Sequence, residues 1–295
     1  MKTKMILPFI LLNMLSGVGS AFMFWWTNFD LIWAGVFLTT FPTPFLLMVL
    51  SQVFGLARTS KRLPVIQLLS IGGAALVGYT LYERQGPSEL FEMIAAGLTV
   101  FGVLGVQWFV WIFSPYNRKK SAAIVKGQAL PTLPLTRLDG SEITSAEFAG
   151  SKTLLVFFRA NWCPFCMNQL KEVAARAERL RNAGVQVKFI SNQGVENSQK
   201  LANQLKLPNH FEIFQDEDLR AAKTLGIEDI GGSPSGMPGY PADTVMATVV
   251  ALDANGNVIF GDETDNYRVR PHPDTFLHVF ERDADVVAID QRLAA

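Results

Sequence analysis

Apolar and polar positions divide this chain of 295 residues into two regions. The first 115 residues hold ten charged side chains, and the other 42 lie in residues 116–295. In the first region the charges mark the ends of apolar stretches of about 20 residues or more, the length needed to cross a bilayer core of about 30 Å. The stretches are residues 5–26, 31–56, 63–82 and 90–113. We predict an α-helical bundle of four transmembrane helices over residues 1–115, with a kink or tilt at Pro42 and Pro44.

Basic side chains predict how these helices are oriented. They lie before the first helix, between the second and third, and after the fourth: Lys2, Lys4, Arg58, Lys61, Arg62, Arg118, Lys119, Lys120 and Lys126. The other two loops hold one basic residue, Arg84. Because cytoplasmic loops carry the excess of Lys and Arg, we expect a multi-pass protein of the cell (inner) membrane with both termini in the cytoplasm. A cleavable signal peptide over residues 1–21 is an alternative, and it would leave the C-terminal region on the same side.

Strand-like and helix-like patterns alternate in the second region. After a basic linker at 116–130, we predict an α/β domain over residues 131–295. Expected strands lie at 153–158, 185–190, 211–214, 248–252 and 257–260, and expected helices at 170–180, 195–205, 219–225 and 273–281. Asn255-Gly256 predicts a hairpin, and the tail after 281 is expected to be helical too. The zero net charge gives no reason to expect a nucleic-acid partner.

The only two cysteines form the motif Cys163-Pro164-Phe165-Cys166, preceded by Trp162. A C-x-x-C motif between a buried strand and a helix is typical of a dithiol/disulfide couple. We predict that Cys163 lies on an exposed turn at the helix start, where the helix dipole favours its thiolate, and that it is the attacking thiol. Cys166 is then the buried resolving thiol, and Arg159 adds positive charge nearby.

Two other interpretations of the cysteines are a zinc site and an inert buried pair. Zinc usually takes four ligands, and the three histidines, His210, His272 and His278, are not at ligand spacing. The motif implies no metal, nucleotide or haem cofactor. Because the cytoplasm is reducing, a catalytic or sensing disulfide bond is expected there rather than a structural one.

Residues 133–281 resemble the thioredoxin-like superfamily, in its AhpC/TSA (peroxiredoxin-like, redoxin) and TlpA/ResA-type thiol-disulfide oxidoreductase branch. The matching pieces are Leu133-Pro134-Leu135 with Leu138-Asp139-Gly140, residues 155–166, Asp216-Glu217-Asp218 with Ala221-Ala222 and Leu225-Gly226-Ile227, and residues 252–258. The resemblance implies a thioredoxin fold and dithiol redox chemistry. It does not extend to the membrane region.

Several positions depart from the patterns of these families. Phe157 stands where thioredoxins have a buried Asp, so the proton acceptor is unassigned, with Glu196 as a candidate substitute or a plain surface residue. Ala247 stands where most thioredoxin-like domains have a cis-proline, and no Arg lies beside it, where peroxiredoxins usually have one. Counted to Cys166, the peroxidase pattern P-x-x-x-T-x-x-C has Arg159 and Cys163 at its Pro and Thr positions.

Three functions are compatible with these features. The first is a membrane-tethered thiol–disulfide oxidoreductase in the reductase direction, with Cys163 attacking a substrate disulfide. The second is a thiol peroxidase with antioxidant activity, in which a hydroperoxide oxidises Cys163 and Cys166 resolves the sulfenic acid. The third is a non-enzymatic membrane redox sensor. The expected partners are the lipid bilayer, a disulfide or hydroperoxide substrate and a thiol electron donor.

Overall fold

The structure, a computed structural model, describes residues 2–234 and 237–282. It divides into two compact units at the Pro115–Tyr116 peptide bond. The first unit contains four helices that are long and apolar enough to cross a membrane, as judged by length and composition. Their bounds are α1 Ile6–Trp26, α2 Leu31–Leu50, α3 Pro64–Glu83 and α4 Leu90–Phe113. The second helix ends at Leu50 rather than at the expected residue 56, and its last turns, Phe45–Leu50, are wider i→i+5 turns that follow the two prolines.

Glycines allow α2 and α3 to pack closely. A Cβ atom added to Gly73 would lie 2.5 Å from the Gly35 carbonyl oxygen, and one added to Gly35 would lie 2.5 Å from Cγ2 of Val77. Lipid tails are as apolar as leucine side chains, so the hydrophobic effect does not drive membrane helices together. Contacts between such helices depend on close packing and are therefore rich in small residues, which let the backbones approach each other. Helix α2 has the most buried apolar window of the four.

The second unit is built on a mixed sheet of seven strands in the order β2-β1-β5-β4-β3-β8-β9, beside a pair, β6-β7. The strands are β1 Pro134–Arg137, β2 Glu142–Thr144, β3 Lys152–Phe157, β4 Val185–Ser191, β5 Phe211–Gln215, β6 Glu228–Asp229, β7 Thr244–Val245, β8 Thr248–Leu252 and β9 Val258–Asp262. The helices are α5 Pro164–Ala174, α6 Ala177–Asn182, α7 Val195–Leu205, α8 Arg220–Leu225 and α9, described over 273–282.

The apolar strand β3 lies between β4 and β8 near the centre of the sheet, and five of its six residues are therefore buried. It pairs in parallel with β4 and antiparallel with β8, so that Phe157 lies opposite Ile190 on one side and Thr248 on the other. The expected βαβ unit and the hairpin of β8 and β9 are both present. This arrangement is a thioredoxin-like α/β domain, and the carboxyl end of β3 leads directly into the C-x-x-C motif.

Some local features differ from the sequence-based expectation. Strands β2, β6 and β7 are too short to show a periodic pattern. The helix after the cysteines is interrupted at Ala175 and Arg176. The expected linker at 116–130 belongs to the second unit, since Gly127 N donates to Val258 O at 2.8 Å and Leu130 N to Gly256 O at 3.0 Å. The expected helical tail from 283 onward lies outside the described residues.

Candidate redox site

The C-x-x-C motif is held between the end of β3 and the start of α5. Cys163 is the N-cap residue of α5, with Pro164 at the first helical position, where its missing N–H costs no hydrogen bond. The turn before it is closed by Cys163 N donating to Ala160 O at 3.1 Å. Asn161 fixes this turn to the loop after β4, because its main-chain N–H donates to Gln193 Oε1 at 2.9 Å. The two sulfurs therefore lie at the carboxyl edge of the sheet.

Both sulfurs are buried, and the two cysteines are not joined by a disulfide. Cys163 is 1% exposed and Cys166 0%, so the expected exposed turn is wrong. The Cys163 thiol donates a hydrogen bond to the Cys166 sulfur. The two groups therefore titrate as a pair that shares one proton.

The contact of Arg270 Nη2 with Cys166 Sγ at 3.3 Å favours the negative charge of this pair on Cys166. For Cys163, burial and the hydrogen bond that it donates both raise the pKa well above the ordinary thiol value. For Cys166, burial also opposes ionisation, but the hydrogen bond from Cys163 and the charges of Arg270 and Arg159 outweigh it and lower the pKa to about 5. Burial and the hydrogen bond to Cys166 thus act on the pKa of Cys163 in the opposite direction to the effect expected of the helix dipole. Its role as the attacking thiol stays a prediction.

Within the described residues, Arg270 places a positive charge in direct contact with a sulfur of the site. Its Nη2 lies 3.3 Å from Cys166 Sγ, and its Nε donates to Tyr267 O at 2.9 Å. The residue is 6% exposed, so water screens its charge poorly. A charge-assisted hydrogen bond of this kind stabilises the thiolate over the thiol.

Arg159 is the second buried cation of the site. Its guanidinium carbon lies 4.7 Å from the centroid of the Trp162 ring and 5.4 Å from that of Tyr267. Its Nη2 donates to Gly232 O and lies 3.6 Å from Asp229 Oδ2. The sequence-based expectation that Arg159 adds charge near the cysteines therefore has a geometric basis, since this charge also acts on both thiols.

The sequence analysis also named Glu196 and Ala247 as candidate site residues, and the structure places one on the surface and the other at the site. Glu196 has a side chain that is 82% exposed and pairs with Lys200 at 2.7 Å on the surface of α7, so it is a solvated residue rather than a proton acceptor of the dithiol. Ala247 is buried between β7 and β8. Its N–H donates to the Tyr116 hydroxyl at 3.2 Å, which places it in the wall of the site.

Residues missed by the sequence analysis complete the site. Tyr116, Tyr267 and Arg270 lie far from the motif along the chain, in segments without regular periodicity. Burial raises the pKa of both tyrosines, to about 12 for Tyr116, so both hydroxyls stay protonated at neutral pH. The nearest sequence signal is the run Tyr267-Arg268-Val269-Arg270, in which aromatic and basic residues occur together after the last strand.

A comparison with protein families finds a match to the model of the AhpC/TSA family over residues 126–260. Among curated relatives, the chloroplastic peroxiredoxin Q of Sedum lineare is 29% identical over 129 residues, which cover 43% of this chain and 68% of that protein. The protein of the same name from Populus jackii is 28% identical, and the match spans 57% of its length and 41% of this chain. Peroxiredoxin Bcp of Escherichia coli is 26% identical over 154 residues, 52% of this chain and 92% of that protein.

Part of the chain is also similar to solved structures. Reduced Prx3 from Vibrio vulnificus, in complex with H2O2, is 21% identical with a TM-score of 0.44, covering 53% of this chain and 99% of that one. The residues that match the family model, 126–260, contain the C-x-x-C motif. Residues 126–260 are therefore an AhpC/TSA family domain, a peroxiredoxin-like thiol redox domain.

Proposed function

We propose that this protein is a membrane-tethered, thiol-dependent peroxidase that reduces a hydroperoxide at Cys166 and stores the oxidation as a Cys163–Cys166 disulfide. The observation that carries the proposal is the 3.3 Å contact between Arg270 Nη2 and Cys166 Sγ. It makes Cys166 the thiolate at neutral pH, and the thiolate is the nucleophilic form of cysteine. The similarity to peroxiredoxins supports the same reaction class.

The hydrogen bond between the two thiols suggests how protons and electrons move. The Cys166 thiolate attacks the outer oxygen of the hydroperoxide, the O–O bond breaks, and Cys166 becomes a sulfenic acid as its sulfur loses two electrons. The leaving alkoxide takes the proton of the Cys163 thiol and departs as an alcohol. Cys163, now a thiolate, attacks the Cys166 sulfenic acid, forms the S–S bond and releases hydroxide, which takes a proton from solvent. An external thiol donor then supplies two electrons and restores the dithiol.

The burial of both sulfurs favours a small substrate. With Cys163 1% exposed and Cys166 fully buried, a folded protein disulfide cannot approach either sulfur in line without rearrangement of the site. Hydrogen peroxide or a short organic hydroperoxide requires much less space. The family pattern lacks its Thr here, since Cys163 occupies that position relative to Cys166. In our proposal the thiol of Cys163 and the guanidinium groups of Arg159 and Arg270 provide the donors and the positive charge.

Disulfide reduction is the second candidate, and the position of Cys163 favours it. Cys163 is the N-cap of α5 with Trp162 before it and Pro164 after it, which is the arrangement of a thiol–disulfide oxidoreductase motif. In that reaction Cys163 would attack a substrate disulfide to give a mixed disulfide, and Cys166 would displace the reduced product.

The membrane part of the proposal depends on the first unit. Its four long apolar helices and the basic residues at their ends support a multi-pass protein with the redox domain in the cytoplasm. A cytoplasmic thiol pool would keep the dithiol reduced between turnovers.

The two functions, and the two assignments of the attacking cysteine, are separated by single substitutions in the full chain in detergent. We expect Cys166→Ser to abolish peroxide consumption, whereas Cys163→Ser should still form one sulfenic acid per chain, trapped at Cys166 by dimedone and located by mass spectrometry. Glu196→Gln is the matched control and should behave as the wild type. A sulfenic acid found at Cys163 instead would overturn the assignment. Peroxide consumption no faster than that of free cysteine, together with rapid disulfide reduction, would favour the second candidate.

A further inference from the structure

The first residues after the apolar helices lie at the redox site, although they precede the AhpC/TSA match at 126–260. Tyr116 accepts a hydrogen bond from Ala247 N at 3.2 Å, and its ring centroid lies 6.0 Å from the guanidinium carbon of Arg159. Burial raises the pKa of its hydroxyl, and the charge of Cys166 raises it further. The segment that begins at Tyr116 therefore borders the redox site, although it lies outside the residues that match the family model.

Arg118 contacts the same part of the chain, at Ala247 and Thr248. Its Nη1 donates to Thr248 Oγ1 at 3.1 Å and lies 3.5 Å from Ala247 O. Its Nη2 pairs with Glu263 Oε1 at 3.2 Å, and its side chain is 2% exposed. Glu263 also accepts from the main-chain N–H of Ser121 at 2.7 Å, and Asp265 accepts from that of Arg118 at 3.0 Å. The guanidinium is thus fixed by several buried contacts rather than by one surface ion pair.

Met246 and Ala247 connect β7 to β8, and each of their main-chain N–H and carbonyl groups has a hydrogen-bond partner. The N–H and the carbonyl of Ala247 are taken by Tyr116 and Arg118. The N–H of Met246 donates to Ile227 O at 2.7 Å, and its carbonyl accepts from Thr248 Oγ1 at 2.9 Å. Extended peptides are commonly recognised by pairing with free main-chain groups at the edge of a strand. Such groups are already occupied here, beside the dithiol.

We propose that Tyr116 and Arg118 determine substrate specificity: they occupy the main chain at Ala247 and so disfavour extended polypeptide disulfides relative to small hydroperoxides. The inference rests on the proposed function, because it explains why a C-x-x-C motif would act on peroxides. Both are positioning residues, since they act through Ala247 and touch no reacting atom in this structure. Their removal should widen the range of substrates rather than simply destroy activity.

The test compares kcat/KM for hydrogen peroxide and for insulin, a polypeptide disulfide, in the full chain in detergent with dithiothreitol as the reductant. In the double variant Tyr116→Ala/Arg118→Ala, we expect the ratio of insulin to peroxide kcat/KM to rise about tenfold or more. A merely structural role would lower both values together and leave their ratio unchanged. Arg137→Ala, which removes an exposed arginine paired with Glu147 at 3.4 Å, is the control and should change neither value.

Milder variants keep the test decisive if the double variant does not fold. Tyr116→Phe retains the ring and removes only the acceptor for Ala247 N, and Arg118→Lys retains the charge, so we expect smaller increases in the same ratio. An unchanged ratio in folded variants, or rapid insulin reduction by the wild type, would overturn the inference. A wild type that consumes no peroxide, combined with variants that gain insulin reduction, would instead refute the proposed function and leave the exclusion of polypeptides standing.

Discussion

Arg270 and Cys166 are 104 positions apart in the chain, yet Nη2 of the arginine donates to Sγ of the cysteine across 3.3 Å. Both side chains are almost completely buried. A guanidinium remains charged under these conditions, so it stabilises a thiolate beside it. This contact favours the negative charge on Cys166 rather than on Cys163.

Removal of the charge at Arg270 should therefore change the pH profile. The pKa of Cys166 is lowered to about 5, so the peroxide reaction of the wild type should fall only when the pH drops through about 5. In Arg270→Gln, the thiol pKa should rise by about 1–2 units, which lowers the rate near pH 6 and spares it above pH 8. Stopped-flow rates and thiolate absorbance measured against pH test this shift. Arg270→Lys, which keeps the charge, should shift less, and an unchanged inflection in the Gln variant would contradict the assignment.

Asp216 should make the stability of the fold depend on pH. Its Oδ1 accepts from Ala221 N at 2.7 Å and its Oδ2 from Ala222 N at 2.8 Å, at 1% exposure. Burial raises the pKa of Asp216 to about 6 in spite of these bonds. Because the folded pKa lies above the unfolded value, the contribution of Asp216 to stability is complete below about pH 4 and is lost as the pH rises through about 6, by up to ~3 kcal/mol.

Asp216→Asn cannot ionise and should lose this pH dependence. Thermal unfolding of the full chain between pH 4.5 and 7.5 measures the effect. Asp218→Asn is a suitable control, because Asp218 is exposed and has a φ of 54°, which Asn also adopts readily. Parallel pH curves for the wild type and Asp216→Asn would show that the carboxyl of Asp216 does not titrate in this range.

Gly73 and its neighbour Gly72 allow a matched test of packing in the first unit. A Cβ atom at Gly73 would lie 2.5 Å from Gly35 O and 2.8 Å from Leu38 Cβ, whereas one at Gly72 meets nothing within 4 Å. Gly73→Ala should therefore destabilise the contact between α2 and α3 by about 1–3 kcal/mol, since overpacking forces helices apart. Gly72→Ala should be neutral or slightly stabilising. Thermal unfolding in detergent, monitored by helical circular dichroism, distinguishes the two, and equal melting temperatures would disprove this packing.

The proposed topology predicts which loops a membrane-impermeant maleimide can reach. Single cysteines at Pro87, Ser60 and Lys126 are introduced into a Cys163→Ser/Cys166→Ser background. If basic residues mark the cytoplasmic side, Pro87→Cys should react in intact cells, and the other two should react only after permeabilisation. Labelling of Lys126→Cys from outside would place the redox domain on the outer side.

Local patterns predicted much of the fold. The boundaries of α1, α3 and α4 came within one residue of the structure, because the length of an apolar run between charges is a local property. Strand β3, helix α7 and the Asn255-Gly256 hairpin were also predicted, each from a run of a few residues. Strands β6 and β7, two residues each, could not be predicted, because their pairing is made by contacts between distant segments and not by their own periodicity.

Local sequence patterns also identified only some of the residues of the candidate site. Cys163 and Cys166 were identified from their spacing, and Arg159 from its nearness to them in the chain. Arg270 and Tyr116 were missed, because nothing in the sequence says that residues after β9 and before β1 meet at the carboxyl end of β3. Glu196 was a wrong candidate, since its position after β4 did not reveal that its side chain faces solvent.

By itself, the sequence determined that this chain has a hydrophobic half and an α/β half, and that a pair of cysteines three positions apart lies between a strand and a helix. These are properties of short segments, and the spacing of residues along a helix or strand controls them. Only the tertiary structure decided that both sulfurs are buried and that Arg270 contacts Cys166. Burial and electrostatic stabilisation depend on distances through space, and Tyr116, Arg159 and Arg270 come close to the sulfurs only when the sheet has assembled.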